Sequence, residues 1–453
     1  MTRKSSRGST NIAEGLLQAA LGRELSSQKA WDYGWCLEEH RRSSEAALTH
    51  DETHSVVLTT GAVAALEAAT IALLRQPAVV NLYDPEEFWS IVAGLIGTLP
   101  LDLDESGLKP LIDARLQRLL SPPPATVLFP VSHIAMPSGC LQIGPLKIGA
   151  AKSVWASLPE SVQKDIAEKT SLADIWWGEA LEGSPNDLIL CAYTTRSQLG
   201  RAYHDAAEDF DDLVSLALMF EANLDELELY SLRGDVYRPG VRGIKTDRHA
   251  LGEAVARDSK LGRELAATIL TTGIFGPSTS LHWLGESTFP LERLLAVNAI
   301  RERATFLLST STSVTRRLRL AARWHAKAHW STEIDDAVLA LGISFDVLLK
   351  EKGNSPGRVH AERFAFLVPD PEERRRRYKR FQGEYYAARS AVAHGGRSSA
   401  TDAAFVRRMA ADVRAIFYRL VDHVQTRAIQ TDAEYDTLFD ELKWGEAGMV
   451  TDV

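Results

Sequence analysis

Ile334, Val338, Leu341, Phe345 and Leu348 recur at three- and four-residue intervals, which puts all five on one side of a helix. A stripe of that width is stable only when it is covered. Three other runs of similar length are free of proline and carry comparable stripes: Val314 to His329, Glu372 to Ala393 and Ala403 to Val424. A compact helical bundle is the simplest way for four such faces to cover one another. The almost wholly helical region begins with Leu291 to Leu308, and we place a division near residue 300. Residues 1–300 then form an acidic mixed α/β region that serves as a sensor or regulatory domain. Residues 301–453 form the bundle, and the chain as a whole is α+β.

Upstream the patterns are shorter. Asn11 to Leu25 and Gln28 to Leu48 carry helical spacing, with Ile12, Leu16 and Ala20 in the first and Trp31 and Trp35 in the second. Ser55 to Thr59 and Ala78 to Tyr83 read as strands, each followed by a helical stretch. Thr126 to Ile134 and Leu141 to Ile148 flank Met136-Pro137-Ser138-Gly139 like the arms of a hairpin. Leu188 to Tyr193 reads as a strand and Gln198 to Leu224 as a long amphipathic helix, its stripe of Leu213, Leu216, Phe220 and Leu224 read as core packing. Arg233 to Arg248 is a loop by composition, and helices are expected to resume at Leu251.

The net charge is -9 over 453 residues, but residues 310–427 alone hold 22 Lys+Arg against 13 Asp+Glu. The C-terminal part has the electrostatic footprint of a nucleic-acid binder, and the acidic remainder is suited to screen it or dock against it. A hydrophobic content of 45% with 25% charged residues is ordinary for a folded globular chain. Cys36, Cys140 and Cys191 are widely spaced with no CxxC pair, so neither a disulfide framework nor a zinc site is expected, and a reducing cytoplasm fits. Met1 to Thr10 is basic and polar with no apolar run after it. The apolar stretch Ala62 to Leu74 is short and contains Glu67, so we expect neither a signal peptide nor a membrane span.

The chemistry-bearing stretch is Tyr385-Tyr386-Ala387-Ala388-Arg389-Ser390-Ala391-Val392-Ala393-His394-Gly395-Gly396. It reads as the end of a helix that starts after Pro371, with the glycine pair freeing the backbone to turn away. RNA supplies its own nucleophile, the ribose 2′-OH. A neutral imidazole is able to take that proton near neutral pH, and a guanidinium offers a fixed fork to phosphate oxygens. His394 and Arg389 are the residues of those two types. Arg-x4-His is not distinctive by itself, since looser versions run from Arg319 to His325, Arg323 to His329 and Arg242 to His249. The competing reading is a histidine that caps its own helix and an arginine paired to a carboxylate.

More specific is Tyr386-x-x-Arg389-Ser390-x-x-x-His394-Gly395, preceded by Ser344-Phe345-Asp346-Val347-Leu348-Leu349, Arg358-Val359-His360-Ala361-Glu362-Arg363-Phe364 and Pro369-Asp370-Pro371. This series resembles the HEPN superfamily, and within it the Apea-like HEPN proteins, over roughly residues 310–427. The resemblance implies a HEPN-like bundle and metal-independent cleavage of RNA leaving a 2′,3′-cyclic phosphate, with no cofactor. It also implies a site composed from two copies of Arg389 and His394 across a homodimer or higher oligomer formed through the C-terminal helices. Because the Apea-like group is associated with prokaryotic antiviral defence, it further implies a restrained, toxin-like effector released by a protein or phage-derived trigger at the N-terminal region. A non-catalytic dimerisation or RNA-binding module is the alternative.

Supporting roles follow from position. Asp346 stands where the family motif has Glu; facing Arg389 or His394 it would orient one of them, and facing water it would do nothing. Ser390 is placed to donate to phosphate or to bond back to a carbonyl. Tyr386 opens the motif. Arg374, Arg375, Arg376, Arg377, Lys379 and Arg380 put six cations in seven residues, either tracking phosphates or forming a solvated face balanced by Glu372 and Glu373. His325 and His329 have the spacing of a metal pair with Glu333 beyond, but Ser331 and Thr332 predict a break before Glu333, so no metal is assigned. No phosphate-binding glycine loop is present, and residues 1–300 offer no nameable chemistry.

Overall fold

A computed structural model describes residues 5–25, 46–49, 55–83, 85–122, 125–132, 134, 139–161, 163, 189–197, 199–220, 240–241, 252–257, 265–271, 291, 295–350, 356–395 and 402–445. Helix predominates, with antiparallel strand pairs confined to the N-terminal part, so the α+β class holds. By internal packing the chain forms two compact units: residues 1–127 with 194–204 and 255–268, and the rest. No helix among the described residues is long and apolar enough to cross a membrane.

In the first unit α1 (Ser5–Leu21) packs on α2 (Thr60–Leu74), α3 (Pro85–Gly97) and α4 (Glu105–Leu120). Leu16, Leu66, Phe88, Val92 and Ile112 lie in their shared core. Strands β1 (Arg23–Leu25), β2 (Ala46–Thr49) and β3 (Ser55–Leu58) form a small sheet with β3 in the middle, antiparallel to both neighbours. Two expectations are corrected here. Ala46 to Leu48, assigned above to the end of a second helix, pairs with Val56 to Leu58 as strand; Gln28 to Glu45, including Trp31 and Trp35, lies outside the described residues. Ala78 to Tyr83 is not a strand: Pro77 opens a short helical turn, Pro77–Val80, and the buried pair Val79 and Tyr83 has helical spacing. Arg23 is buried and donates to the carbonyls of Ala20 (2.7 Å), Ile96 (2.8 Å) and Leu99 (2.6 Å), closing the C-terminal end of α3; burial lowers its pKa to about 10.

The second unit contains β4 (Ala125–Ser132) from Leu128 on, β5 (Cys140–Ile143), β6 (Leu146–Ala150) and most of β7 (Ile189–Thr195). The expected hairpin across Met136 to Gly139 is replaced by a tighter one, in which Ile143 pairs with Leu146 around Gly144 and Pro145. Gly144 has φ +56, which a two-residue turn requires and only glycine adopts at no cost. Beyond it, α5 (Ala151–Ala156) and α6 (Leu199–Phe220) follow; Leu213, Leu216 and Phe220 are buried as expected, and Leu224 lies outside the described residues. Where a loop was expected at Arg233 to Arg248, β8 (Gly240–Val241) pairs with β4; the rest of that loop is outside the described residues. Where helices were expected to resume, β9 (Gly252–Arg257) and β10 (Leu265–Thr271) are strands: short apolar runs carry no period that separates strand from buried helix.

From residue 298 on every described element is helical: α7 (Asn298–Ser309), α8 (Ser313–His329), α9 (Ile334–Leu349), α10 (Pro356–Phe366), α11 (Pro371–Arg380), a π-helical segment (Phe381–Tyr386), α12 (Ala387–Ala393), α13 (Ala403–Thr426) and α14 (Asp432–Trp444). Val338, Leu341, Phe345 and Leu348 are buried as the stripe requires, while Ile334 at its end is exposed. Phe345, Phe364, Phe381, Tyr385 and Phe405 form a cluster of ring contacts between α9, α10, the π segment and α13, with Phe345 and Tyr385 stacked at 5.6 Å.

Candidate functional site

Local sequence fixes both ends of the helix that carries Arg389. Asp370 caps its start by accepting from the amides of Glu372 (3.3 Å) and Glu373 (3.1 Å), with Pro371 in the first turn. His394 closes its end: its amide donates to the Ser390 carbonyl at 3.1 Å, and Gly395 follows at φ +76, the left-handed exit the glycine pair predicted. Gly396 lies outside the described residues. The His394 side chain is exposed at this exit.

Between these ends the run is not uniformly α-helical. Residues Phe381–Tyr386 take the wider π register, with Gly383 inside it. A π segment within a helix shifts the angular phase of the turns after it and often marks a functional position. Tyr385 points into the core and donates to Asp412 Oδ2 at 2.6 Å, while burial pushes its hydroxyl pKa well up.

Arg389 is half-buried. Its stem lies across Gly342 of α9, so closely that a Cβ at 342 would stand 2.5 Å from Arg389 Cγ. One turn on, Asp346 accepts from Arg389 Nη2 through Oδ2. The other Asp346 oxygen, Oδ1, lies 3.2 Å from Nδ1 of the buried His360. Tyr386 packs in the same manner against Gly357, where a Cβ would stand 2.9 Å from its ring. Two glycines thus admit the two largest side chains of the motif, and Asp346 faces Arg389 rather than open water. Ser390 is half-buried beside them. His360 and Gly342 were missed from the sequence; His360 stood within the Arg358 to Phe364 string, but nothing local marked its partner.

The six-cation run does not present one basic face. Arg374 donates to the carbonyls of Val368 (2.7 Å) and Leu442 (3.3 Å). Arg377 is buried over the Phe364 ring, with its pKa lowered by burial, and Arg376, Arg377 and Arg380 all approach Glu373; Arg380 also lies 3.3 Å from Asp412. Arg375 and Lys379 are exposed with no partner among the described residues. A phosphate backbone on α11 would therefore find two uncommitted cations and the half-committed Arg376.

The looser Arg-to-His matches are placed differently. Arg319 and Arg323 pair with Asp209, Asp212 and Glu208 of α6. His325 and His329 are fully buried with ring centroids 4.7 Å apart, and burial lowers both pKa values, that of His329 to about 3. α8 ends at His329, and Glu333 is the N-cap of α9, so the three side chains do not line one face. No cluster of three potential metal ligands occurs among the described residues. Arg242 and His249 lie outside them.

No family model, curated protein or solved structure matches this chain.

Proposed function

We propose that the C-terminal helices form a HEPN-type bundle that acts as a metal-independent endoribonuclease, with His394 taking the 2′-OH proton and Arg389 holding the phosphate charge. The observation that carries this reading is the pairing of an exposed His394 at a helix exit with a half-exposed Arg389 whose guanidinium is anchored by Asp346. They stand five positions apart, about 7.5 Å of rise and roughly 140° of turn, so within one chain the two do not converge on one phosphate. Two copies about a twofold axis bring one chain's histidine toward the other's arginine, which makes the active form a homodimer through these helices. The acidic N-terminal region restrains it until a trigger acts, in the manner of a toxin-like defence effector in the cytoplasm.

The test is His394→Ala. Removing a general base costs about a hundredfold to ten-thousandfold in rate. Losing a cap costs only about 1 kcal/mol of stability and leaves turnover nearly unchanged. RNA cleavage should vanish while melting and dimerisation persist, and wild-type cleavage should continue in EDTA. A monomer by light scattering that still cuts RNA would remove the shared site.

One observation favours the non-catalytic reading: Arg389 already has a carboxylate partner within its own chain. On that reading His394→Ala changes nothing measurable on RNA, and Arg375 and Lys379 carry whatever binding there is.

A further inference from the structure

We infer that His360, buried under the Arg389 and Asp346 pair, is a positioning residue that fixes the Asp346 carboxylate and through it the direction of Arg389. Its kinetic consequence rests on the ribonuclease reading; its geometric content does not. Asp346 divides its oxygens, Oδ2 to Arg389 and Oδ1 toward His360 Nδ1 at 3.2 Å. Among the described residues Arg389 is held through Nη2, and its buried Nε has no partner. A single-point pair leaves the guanidinium free to pivot about the carboxylate, so whatever holds Asp346 sets where Arg389 points. His360 is only 4% exposed and stands edge-on to the Phe381 ring at 6.3 Å. It is out of reach of substrate and restrained from turning. Nδ1 is in range of Oδ1 but not aligned as a full hydrogen bond. That is the ordinary condition of an active-site contact that tightens when ligand arrives.

The chain of contacts runs from α10 through α9 to α12. An imidazole with a proton on Nδ1 donates to Oδ1 and leaves Oδ2 as the acceptor for Arg389. Glutamine or asparagine offers an N–H but no ring, and leucine offers neither.

The experiment compares His360→Asn, which keeps an N–H near the Nδ1 position, with His360→Leu, which fills the volume without a donor. His360→Leu should lower kcat/KM for RNA about tenfold to a hundredfold, the range for a residue that orients an active-site group. His360→Asn should recover most of that loss. Asp346→Asn should show a similar loss, and the His360→Leu/Asp346→Asn double variant should be no worse than either alone. In parallel, the Arg389 side-chain Nε–H resonance should shift alike in His360→Leu and Asp346→Asn. Additive losses, or an Arg389 resonance unmoved by His360→Leu, overturn the inference. If the wild-type chain cuts no RNA, the ribonuclease reading fails and the resonance alone decides the role of His360. If His360→Leu does not fold, His360→Ala takes its place in the same comparison, a displaced Arg389 resonance supporting the role and an unmoved one opposing it.

Discussion

Gly342 shows how narrowly Arg389 is placed. A methyl at 342 collides with the Arg389 stem at 2.5 Å, and that stem is a flexible chain tethered at its far end to Asp346. In a helix interior alanine is favoured over glycine by about 1 kcal/mol. The atoms met are Cγ and, at 3.1 Å, the backbone-fixed Cβ of Arg389, so α9 and α12 must part and that gain is outweighed: Gly342→Ala should lower thermal stability while Arg389 leaves Asp346. RNA cleavage should fall at least tenfold at a temperature where the variant stays folded, and cleavage there at the wild-type rate would show that the Gly342 approach has no bearing on the site. Of this cluster, Arg389 and Asp346 were candidates in the sequence because they sit in a distinctive string, and their pairing is what the structure adds. Gly342 and His360 were not, because their partners Arg389 and Asp346 lie 47 and 14 residues away on other helices and a glycine inside an apolar stripe reads only as a weak helix former.

The helix from Pro371 to Ala393 was legible at its ends and not in its middle. Asp370, Pro371 and Gly395 are residues whose local chemistry dictates a start or a stop. The π segment shifts hydrogen bonds by one register and leaves no compositional mark beyond Gly383. On α8 the same limit applies to His325 and His329: their spacing suggested a shared face, and burial, which spacing does not report, makes them neutral core side chains. Burial is the leading cause of both lowered pKa values, followed for His325 by His329 and Arg414, and for His329 by Arg414. The unfolded chain binds these protons near pH 6.5; the folded chain binds that of His329 only near pH 3 and that of His325 only well below its ordinary range. The stability they contribute is complete above about pH 6.5 and is lost as pH falls toward 3, at roughly 1.4 kcal/mol per histidine per pH unit. Urea midpoints at pH 7.5 and pH 5 should differ far more in wild type than in the His325→Leu/His329→Leu variant, and equal drops in the two would rule out these histidines as the source.

At the scale of the whole molecule, the opposite charges of the acidic and basic stretches meet directly. Charge counting set a basic stretch, residues 310–427, against an acidic remainder, and α6 was read by its apolar stripe alone. Its other face carries Glu208, Asp209 and Asp212, which meet Arg319 and Arg323 of α8 across more than a hundred residues of sequence. Tyr193 of β7 donates to Asp209 at 2.9 Å, and Phe220 at the end of α6 packs edge-on against Phe417 and Tyr418 of α13. Local pattern does not reveal such pairs, so the join between the sheet-bearing part and the helices was invisible in the sequence. Asp212 is the centre of this join, fully buried and in contact with both arginines, at 3.3 Å from Arg319. Removing one partner of a buried pair leaves cations uncompensated, which costs about 3–5 kcal/mol when nothing else answers them. Asp209 and Glu208 still answer part of the charge, so Asp212→Ala should cost about 2–4 kcal/mol in urea unfolding. Arg323→Ala should cost less, because its side chain is about a third exposed. If the join works as a unit, the Asp212→Ala/Arg323→Ala double variant should be more stable than the sum of the two losses implies. A loss below 1 kcal/mol for Asp212→Ala would mean that α6 is held to the helices by Phe220 and its apolar stripe, with the charges serving only to choose its register.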